Sequence, residues 1–315
     1  MVYGEVFMKL SIVTTLYYSS SYIDEFYKRI SKTVQEITND YEIIFVDDGS
    51  PDDSLQKAIE LYKKDDKVKV IELSRNFGHH KAIMTGLSHA NGNFIFLIDV
   101  DLEENPEYLS LFWETFNNDN TIDVVYGVQK SRKGNLPERI FGGLFWKLLN
   151  FLSDSSIPQN MMTSRLMTRK YIKSLLDYHE QELFLGGVME NCGFKQIPLY
   201  LQKQSTSKTT YTLRKKINLL VNSITSFSTK PLIYIFNLGI IITFLSSIYI
   251  SKLIYNKLVY GITFEGWTSI VVSIWFFGGL IILLLGIIGI YISKIFIETK
   301  NRPYTIIKNK WSNKK

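Results

Sequence analysis

Short apolar runs recur through the first two thirds of the chain, at residues 10–16, 42–46, 68–73, 94–98 and 124–127, each suited to one strand. Between them apolar residues return at helical spacing: over residues 23–37, then at Leu55, Ala58, Ile59 and Tyr62, and again at Ala82, Ile83, Gly86, Leu87 and Ala90. Gly49, Ser50 and Pro51 make a turn after the second run, with Asp52 placed to start the next helix. Strands alternating with helices of this length predict an α/β domain on a mostly parallel open sheet, with helices on both faces. Residues 134–201 carry a mixed pattern, with one further strand expected at 196–201.

The last third changes character. Residues 232–251 and 266–293 contain no charged side chain. Each reaches the roughly 20 residues that cross a ~30 Å hydrocarbon core, so two transmembrane helices are expected. Residues 211–229 place basic and apolar side chains at helical spacing, as in an amphipathic helix on a membrane surface. The expected organisation is an α/β domain over 1–210, a juxtamembrane helix over 211–230 and spans over 231–255 and 266–293. A short external loop, 256–265, joins the spans, and a basic tail covers 294–315.

Charge sharpens this picture. The net charge of +6 would suit a nucleic-acid partner, but its distribution points to the bilayer. Arg214, Lys215, Lys216 and Lys230 precede the first span; Lys294, Lys300, Arg302, Lys308, Lys310, Lys314 and Lys315 follow the second. The loop between offers only Lys252 and Lys257 nearby, with Glu265 opposing. Basic flanks stay inside, so a multi-pass inner-membrane protein with both termini and the α/β domain in the cytoplasm is expected. The same flanks can hold anionic headgroups. Lys9 interrupts the first apolar run and no cleavage site follows, so no signal peptide is expected. The single cysteine, Cys192, excludes an intramolecular disulfide and a cysteine-built metal cage.

In open α/β sheets the ligand sits beyond the carboxyl ends of the strands. Polar clusters fall there four times: Thr14, Thr15 and Tyr17; Asp47 and Asp48; Ser74, Arg75 and Asn76; Asp99 and Asp101. Side chains alternate along a strand, so Asp99 and Asp101 face the same way. Such a pair suits a hard divalent ion that also takes water and substrate phosphates. Asp47 or Asp48 can accept from a base N–H, although Asp before Gly also serves turns. Arg75 has the geometry for a phosphate. His79 and His80 do not share a helix face, and packing is their expected role.

The motifs Tyr41-Glu42-Ile43-Ile44-Phe45-Val46-Asp47-Asp48-Gly49-Ser50, Leu73-Ser74-Arg75-Asn76-Phe77-Gly78-His79 and Asp99-Val100-Asp101-Leu102 with Pro106-Glu107 resemble the family 2 glycosyltransferases of the GT-A fold. Ile224-Thr225-Ser226-Phe227-Ser228-Thr229-Lys230-Pro231-Leu232, Gly266-Trp267-Thr268-Ser269 and Arg302-Pro303-Tyr304 extend the resemblance to the polyisoprenyl-phosphate glycosyltransferases, the group of dolichyl-phosphate mannose synthases and GtrB-type proteins. The resemblance covers nearly the whole chain. It implies inverting transfer of a hexose from a nucleotide-sugar, with UDP-glucose expected, to a polyisoprenyl phosphate, with undecaprenyl phosphate expected. It implies Mg²⁺ or Mn²⁺ on Asp99 and Asp101, and Asp101 and Arg165 as catalytic residues, Arg165 near the donor diphosphate or acceptor phosphate. It further implies that Asp47 or Asp48 contacts the nucleotide base and that Lys208 and Tyr211 lie in a mobile active-site loop; Thr15, Tyr17 and Arg75, from their places at the strand ends, are expected to join them and Asp99 around the donor. Self-association through the spans, a flippase and a downstream transferase are the further partners expected.

Two departures stand out. Many relatives have Pro-Val-Tyr-Asn-Glu after the first strand, where this chain has Thr15-Leu16-Tyr17-Tyr18-Ser19, and many have Asp-Phe where it has Thr163-Ser164. A processive polysaccharide synthase shares such a front domain, but needs more spans and a Gln-x-x-Arg-Trp segment, and no Trp here follows an Arg. A non-catalytic nucleotide-sugar-binding protein on the membrane is favoured only by Thr163, and opposed by Asp99 and Asp101.

Overall fold

The structure is a computed structural model, described here for residues 9–119, 121–130, 160–181, 185–203, 230–260 and 266–312. Four parallel strands form its centre: β1 (Leu10–Leu16), β2 (Tyr41–Asp47), β3 (Val68–Leu73) and β4 (Phe94–Leu97). Every residue of β1 and β2 is buried, as expected for strands covered on both faces. The covering helices are α1 (Ile23–Gln35), α2 (Ser54–Lys64), α3 (His79–His89), α4 (Tyr108–Asn118) and α5 (Arg169–Leu176), with α6 (Leu185–Asn191) further along the chain. On one face Phe26 meets Phe45 edge-on at 6.2 Å and Phe96 meets Phe112 at 5.5 Å. On the other, α3 lies so close to β1 that a Cβ on Gly86 would stand 2.5 Å from Val13.

The sheet is larger than the apolar runs suggested. β5 (Val124–Gln129), β6 (Met161–Thr168) and β7 (Gln196–Leu201) complete one side, and the strand order is β7-β5-β6-β4-β1-β2-β3-β8. β6 is antiparallel to both β4 and β5 and went unrecognised in the pattern, because Thr163, Ser164 and Arg165 interrupt its apolar run. Tertiary partners satisfy those polar groups: Glu104, wholly buried, accepts from the backbone N–H groups of Thr163 and Ser164 at 3.0 and 2.7 Å.

The tail also differs from expectation. Rather than a free basic segment, residues 307–311 form β8 (Ile307–Trp311), antiparallel to β3 at the sheet edge. Lys308 pairs with Glu72 at 2.5 Å and Asn309 donates to the same carboxylate at 2.6 Å. Ser74 N–H donates to Ile306 O, the Thr85 and Thr305 hydroxyls meet at 2.7 Å, and the Tyr304 hydroxyl donates to Tyr178 O at 3.0 Å.

Two long helices, α7 (Lys230–Tyr260) and α8 (Trp267–Thr299), belong to a second compact unit. They run beyond the expected spans, α7 to Tyr260 and α8 to Thr299. Among the described residues one segment, Ser273–Thr299, is long and apolar enough to cross a membrane, with a hydropathy of 2.6; the apolar part of α7 is the shorter Lys230–Ser246. The large apolar side chains of both helices are exposed, Trp275 at 79% and Phe236 at 67%, unlike those of a soluble core helix. The expected amphipathic helix lies, apart from Lys230, outside the described residues.

Candidate active site

The loops that leave the four parallel strands share unusual backbone. Tyr18, Gly49, Gly78 and Leu102 all have positive φ (55°, 64°, 102° and 58°). For Tyr and Leu this conformation costs about 1–2 kcal/mol, and such strain gathers where side chains must be aimed. Gly49 allows the β2 loop to touch the β3 loop: a Cβ there would stand 2.7 Å from Arg75 C and Asn76 N. A polar web ties the β1 loop to the β2 loop. Ser50 Oγ accepts from Tyr18 N–H at 2.8 Å and donates to Asp52 at 2.6 Å; Asp52 also accepts from Ser20 N–H at 3.0 Å. Ser19 N–H donates to Ser54 Oγ at 3.0 Å, so Ser19, where many relatives carry Glu, is held by short neighbours. Burial pushes the Asp52 carboxyl up, but the hydrogen bonds from Ser50, Ser54 and Ser20 prevail and hold it at about 2.

The two neighbouring aspartates do different work. Asp48 accepts from Phe77 N–H at 2.7 Å and Gly78 N–H at 3.0 Å, one on each oxygen. It thereby shapes the β3–α3 loop. Asp47 accepts weakly from Ser50 N–H at 3.4 Å through Oδ2, while its buried Oδ1 has no hydrogen-bond partner among the described residues. Burial raises its carboxyl to about 6, against the pull of the Ser50 and Gly49 N–H groups.

At the end of β4 the charge is strongly one-sided. Asp99, Asp101, Glu103 and Glu104 lie within six residues. Asp99 Oδ2 accepts from Thr163 Oγ1 at 2.7 Å, and its Oδ1 is 3.4 Å from His79 Nε2. The other His79 nitrogen, Nδ1, is 3.1 Å from Thr15 Oγ1. Asp101 accepts from Glu103 N–H at 2.9 Å. Lys203 reaches Glu103 at 2.9 Å and Glu104 at 4.0 Å, and besides His79 it is the cation in ion-pair contact with this group among the described residues. Burial, then repulsion by Asp101, carries Asp99 to about 6 despite the Thr163 hydroxyl. Burial also raises Asp101 and Glu104, the latter helped by the charge on Asp99. His79 is lowered by burial, which outweighs the carboxylates of Asp48 and Asp101.

An excess of buried, repelling carboxylates at a sheet edge is the donor chemistry of a hard divalent cation. Among the described residues no three side chains close into a metal cage. The two carboxylates Asp99 and Asp101 instead fit Mg²⁺ or Mn²⁺, ions that keep open positions for water and substrate phosphates.

Other expected residues are placed differently. Arg75 is exposed, stacks at 4.0 Å on the Phe77 ring and donates to Asn76 O at 3.0 Å. Tyr17 is 48% exposed and meets Tyr18 edge-on. Arg165 is buried in β6, donating to Met162 O at 3.2 Å and lying against Met189 of α6. Its guanidinium is held by backbone carbonyls inside the fold. Lys208 and Tyr211 lie outside the described residues. His79, Thr163, Glu104 and Lys203 join the cluster although sequence patterning did not single them out as its members; only His79, beginning a helix after a strand-end loop, carried a local signal.

Residues 11–176 match the model of glycosyl transferase family 2. The chain belongs to this family. As a family 2 glycosyltransferase it is an enzyme, and its mostly parallel open sheet with Asp99 and Asp101 at the carboxyl edge is the GT-A arrangement. It is 47% identical over 301 residues to a Mycobacterium tuberculosis protein described as putative glycosyltransferases, covering 96% of this chain and 88% of that one. It is 32% identical over 303 residues to the prophage bactoprenol glucosyl transferase homolog of Escherichia coli, covering 96% and 99%. The bactoprenol glucosyl transferase of Shigella phage SfV is likewise 32% identical, over 304 residues, with 96% and 99% covered.

Proposed function

We propose that this glycosyltransferase moves a hexose from UDP-glucose to undecaprenyl phosphate, a polyisoprenyl phosphate, at the cytoplasmic face of the inner membrane. The observation that carries the proposal is the carboxylate excess at the end of β4, where Asp99 and Asp101 face the same edge as Thr15 and Asp47. Similarity along nearly the whole chain to proteins named bactoprenol glucosyl transferase supports a lipid-phosphate acceptor and a glucosyl donor. Asp99 and Asp101 would hold Mg²⁺ or Mn²⁺, which when bound neutralises charge on the leaving diphosphate. Asp47 offers a buried acceptor to a base N–H.

The acceptor needs no protein base. A phosphate monoester has a second pKa of about 6 and is largely dianionic at neutral pH. Its oxygen bonds to the anomeric carbon as the bond from that carbon to the diphosphate breaks, and no proton has to leave the nucleophile. One such displacement inverts the anomeric configuration. Thr163 agrees with this scheme, since its hydroxyl donates to Asp99 and a carboxylate is absent there. Lys208 and Arg214, with the basic segment around them, would hold the lipid phosphate.

The tail supports two membrane crossings. β8 is hydrogen-bonded into the same sheet as β1, so the chain leaving this domain after residue 203 returns to the same side before residue 304. A crossing by α8 then requires one more, and α7 is the helix that precedes it.

The test is to incubate membranes with a panel of nucleotide-sugars, with Mn²⁺ or with EDTA, and to identify the glycolipid by mass spectrometry. A Mn²⁺-dependent hexosyl phospholipid from UDP-glucose is expected. Free sugar alone, or a glycolipid formed in excess EDTA, overturns the scheme.

A further inference from the structure

The geometry points to His79 and Thr163 as a pair of positioning residues that clamp the Asp99 carboxylate from two sides; the inference rests on the metal-holding role of Asp99 and Asp101 proposed above. The observation is a chain of contacts across four elements. Thr15, at the end of β1, meets His79 Nδ1 at 3.1 Å. His79, in the first turn of α3, brings Nε2 to 3.4 Å from Asp99 Oδ1. Asp99 follows β4, and its Oδ2 accepts from Thr163 Oγ1 of β6 at 2.7 Å. The backbone beneath Thr163 is itself pinned, because Glu104 accepts from Thr163 N–H and Ser164 N–H.

The need for a clamp follows from the charges around it. Asp101 and Glu103 both repel Asp99, and an untethered carboxylate lowers its energy by rotating away from them. The Thr163 hydroxyl bonded to Oδ2 and the His79 imidazole standing 3.4 Å from Oδ1 oppose that rotation from its two sides. In the tautomer in which Nδ1 accepts from the Thr15 hydroxyl, the imidazole hydrogen is on Nε2, the atom that faces Asp99. Ligating carboxylates are commonly oriented by such outer partners, whose loss costs about 10–100-fold in metal affinity or activity. Thr163 does this without adding a charge, whereas an aspartate at that position would add one beside Asp99.

The experiment uses the full chain in lipid nanodiscs and follows Mn²⁺ binding by electron paramagnetic resonance with UDP present, alongside kcat and KM. Asn at position 79 keeps an amide near the place of Nδ1, while Gln reaches the place of Nε2. His79→Asn and Thr163→Val are expected to weaken Mn²⁺ binding by about 10–100-fold, with kcat recovering as Mn²⁺ is raised and the KM for the lipid acceptor unmoved. His79→Gln and Thr163→Ser are expected to bind Mn²⁺ nearly as the wild type does. Wild-type affinity in Thr163→Val together with equal affinities in the two His79 variants overturns the clamp while leaving the metal role standing. A wild-type chain that binds no Mn²⁺, yet turns over in EDTA, overturns both. Should Thr163→Val fail to fold by thermal unfolding, the His79 pair decides alone.

Discussion

At the amino ends of the central strands, Glu42 is buried like the carboxylates near the active edge, yet it is fully matched. Ser11 Oγ and Asn91 N–H donate to it at 2.6 Å, Lys69 binds it closely and Lys9 stands 3.3 Å away. Burial pushes its carboxyl up, but Lys69, Ser11 and Asn91 prevail and hold it below its ordinary value. At the carboxyl ends, Asp99, Asp101 and Glu104 are all pushed upward, with Lys203 the ammonium in reach. The same residue chemistry thus serves two ends of one sheet. Where the protein supplies its own counter-charge, a carboxylate holds the fold. Where the described residues supply less of it, the carboxylates suit the cation proposed above, as perturbed groups at functional edges often do.

The comparison can be broken by exchanging carboxylates for amides at each end. Asp101→Asn is expected to cut transfer on the order of 10³-fold, because it removes part of the charge that organises the leaving diphosphate. The melting temperature of the metal-free protein should hold or rise, since a repelling charge has gone. Retained activity with a lowered melting temperature would assign Asp101 to the fold instead. Glu42→Gln should do the reverse. Turnover stays, but stability falls by about 3 kcal/mol, the low end for breaking a buried ion pair, because Lys69 and Lys9 can partly reach water. Denaturant unfolding measures it, and a loss confined to activity would refute the structural role.

A third, smaller effect is a pH slope. Asp47 titrates at about 6 in the fold, above its ordinary 3.8, so folding favours its protonated form. The stability this contributes is present below about pH 4 and is lost as pH rises through 6. Metal-free wild type should therefore lose stability over that window, and Asp47→Asn, which cannot titrate, should show a shallower slope by denaturant unfolding at successive pH values. Parallel slopes would mean that Asp47 finds a partner in solution. The smallest change is expected at the sheet edge. Lys308→Ala removes an exposed partner of Glu72 and should cost about 0.5 kcal/mol, within the range for surface pairs. A loss several times larger would make β8 a principal support of the sheet.

Much of this architecture was legible along the chain, because the period of apolar side chains is a local property. β1, β3 and β7 begin and end where their apolar runs do; β4 ends at Leu97, one residue short of its run, so the loop beyond it, and not strand alternation, places Asp99 and Asp101. The family motifs around Asp47, Arg75 and Asp99 carried the glycosyltransferase identity in the same local way. What no local pattern contained was which distant residues meet. Thr163 and Asp99 are 64 positions apart, as are Thr15 and His79, and only the insertion of β6 beside β4 and the placement of α3 over β1 bring them together. The distinction between Asp47 and Asp48 was likewise tertiary, since it depends on which carboxylate the β3–α3 loop claims for its N–H groups. Arg165 shows the same limit: a strand position permits two directions, and packing against Met189 chose the interior. The tail reads as basic surface because Lys308, Asn309 and Lys310 of this edge strand are all exposed, and only the unpaired edge of β3 made residues 307–311 a strand.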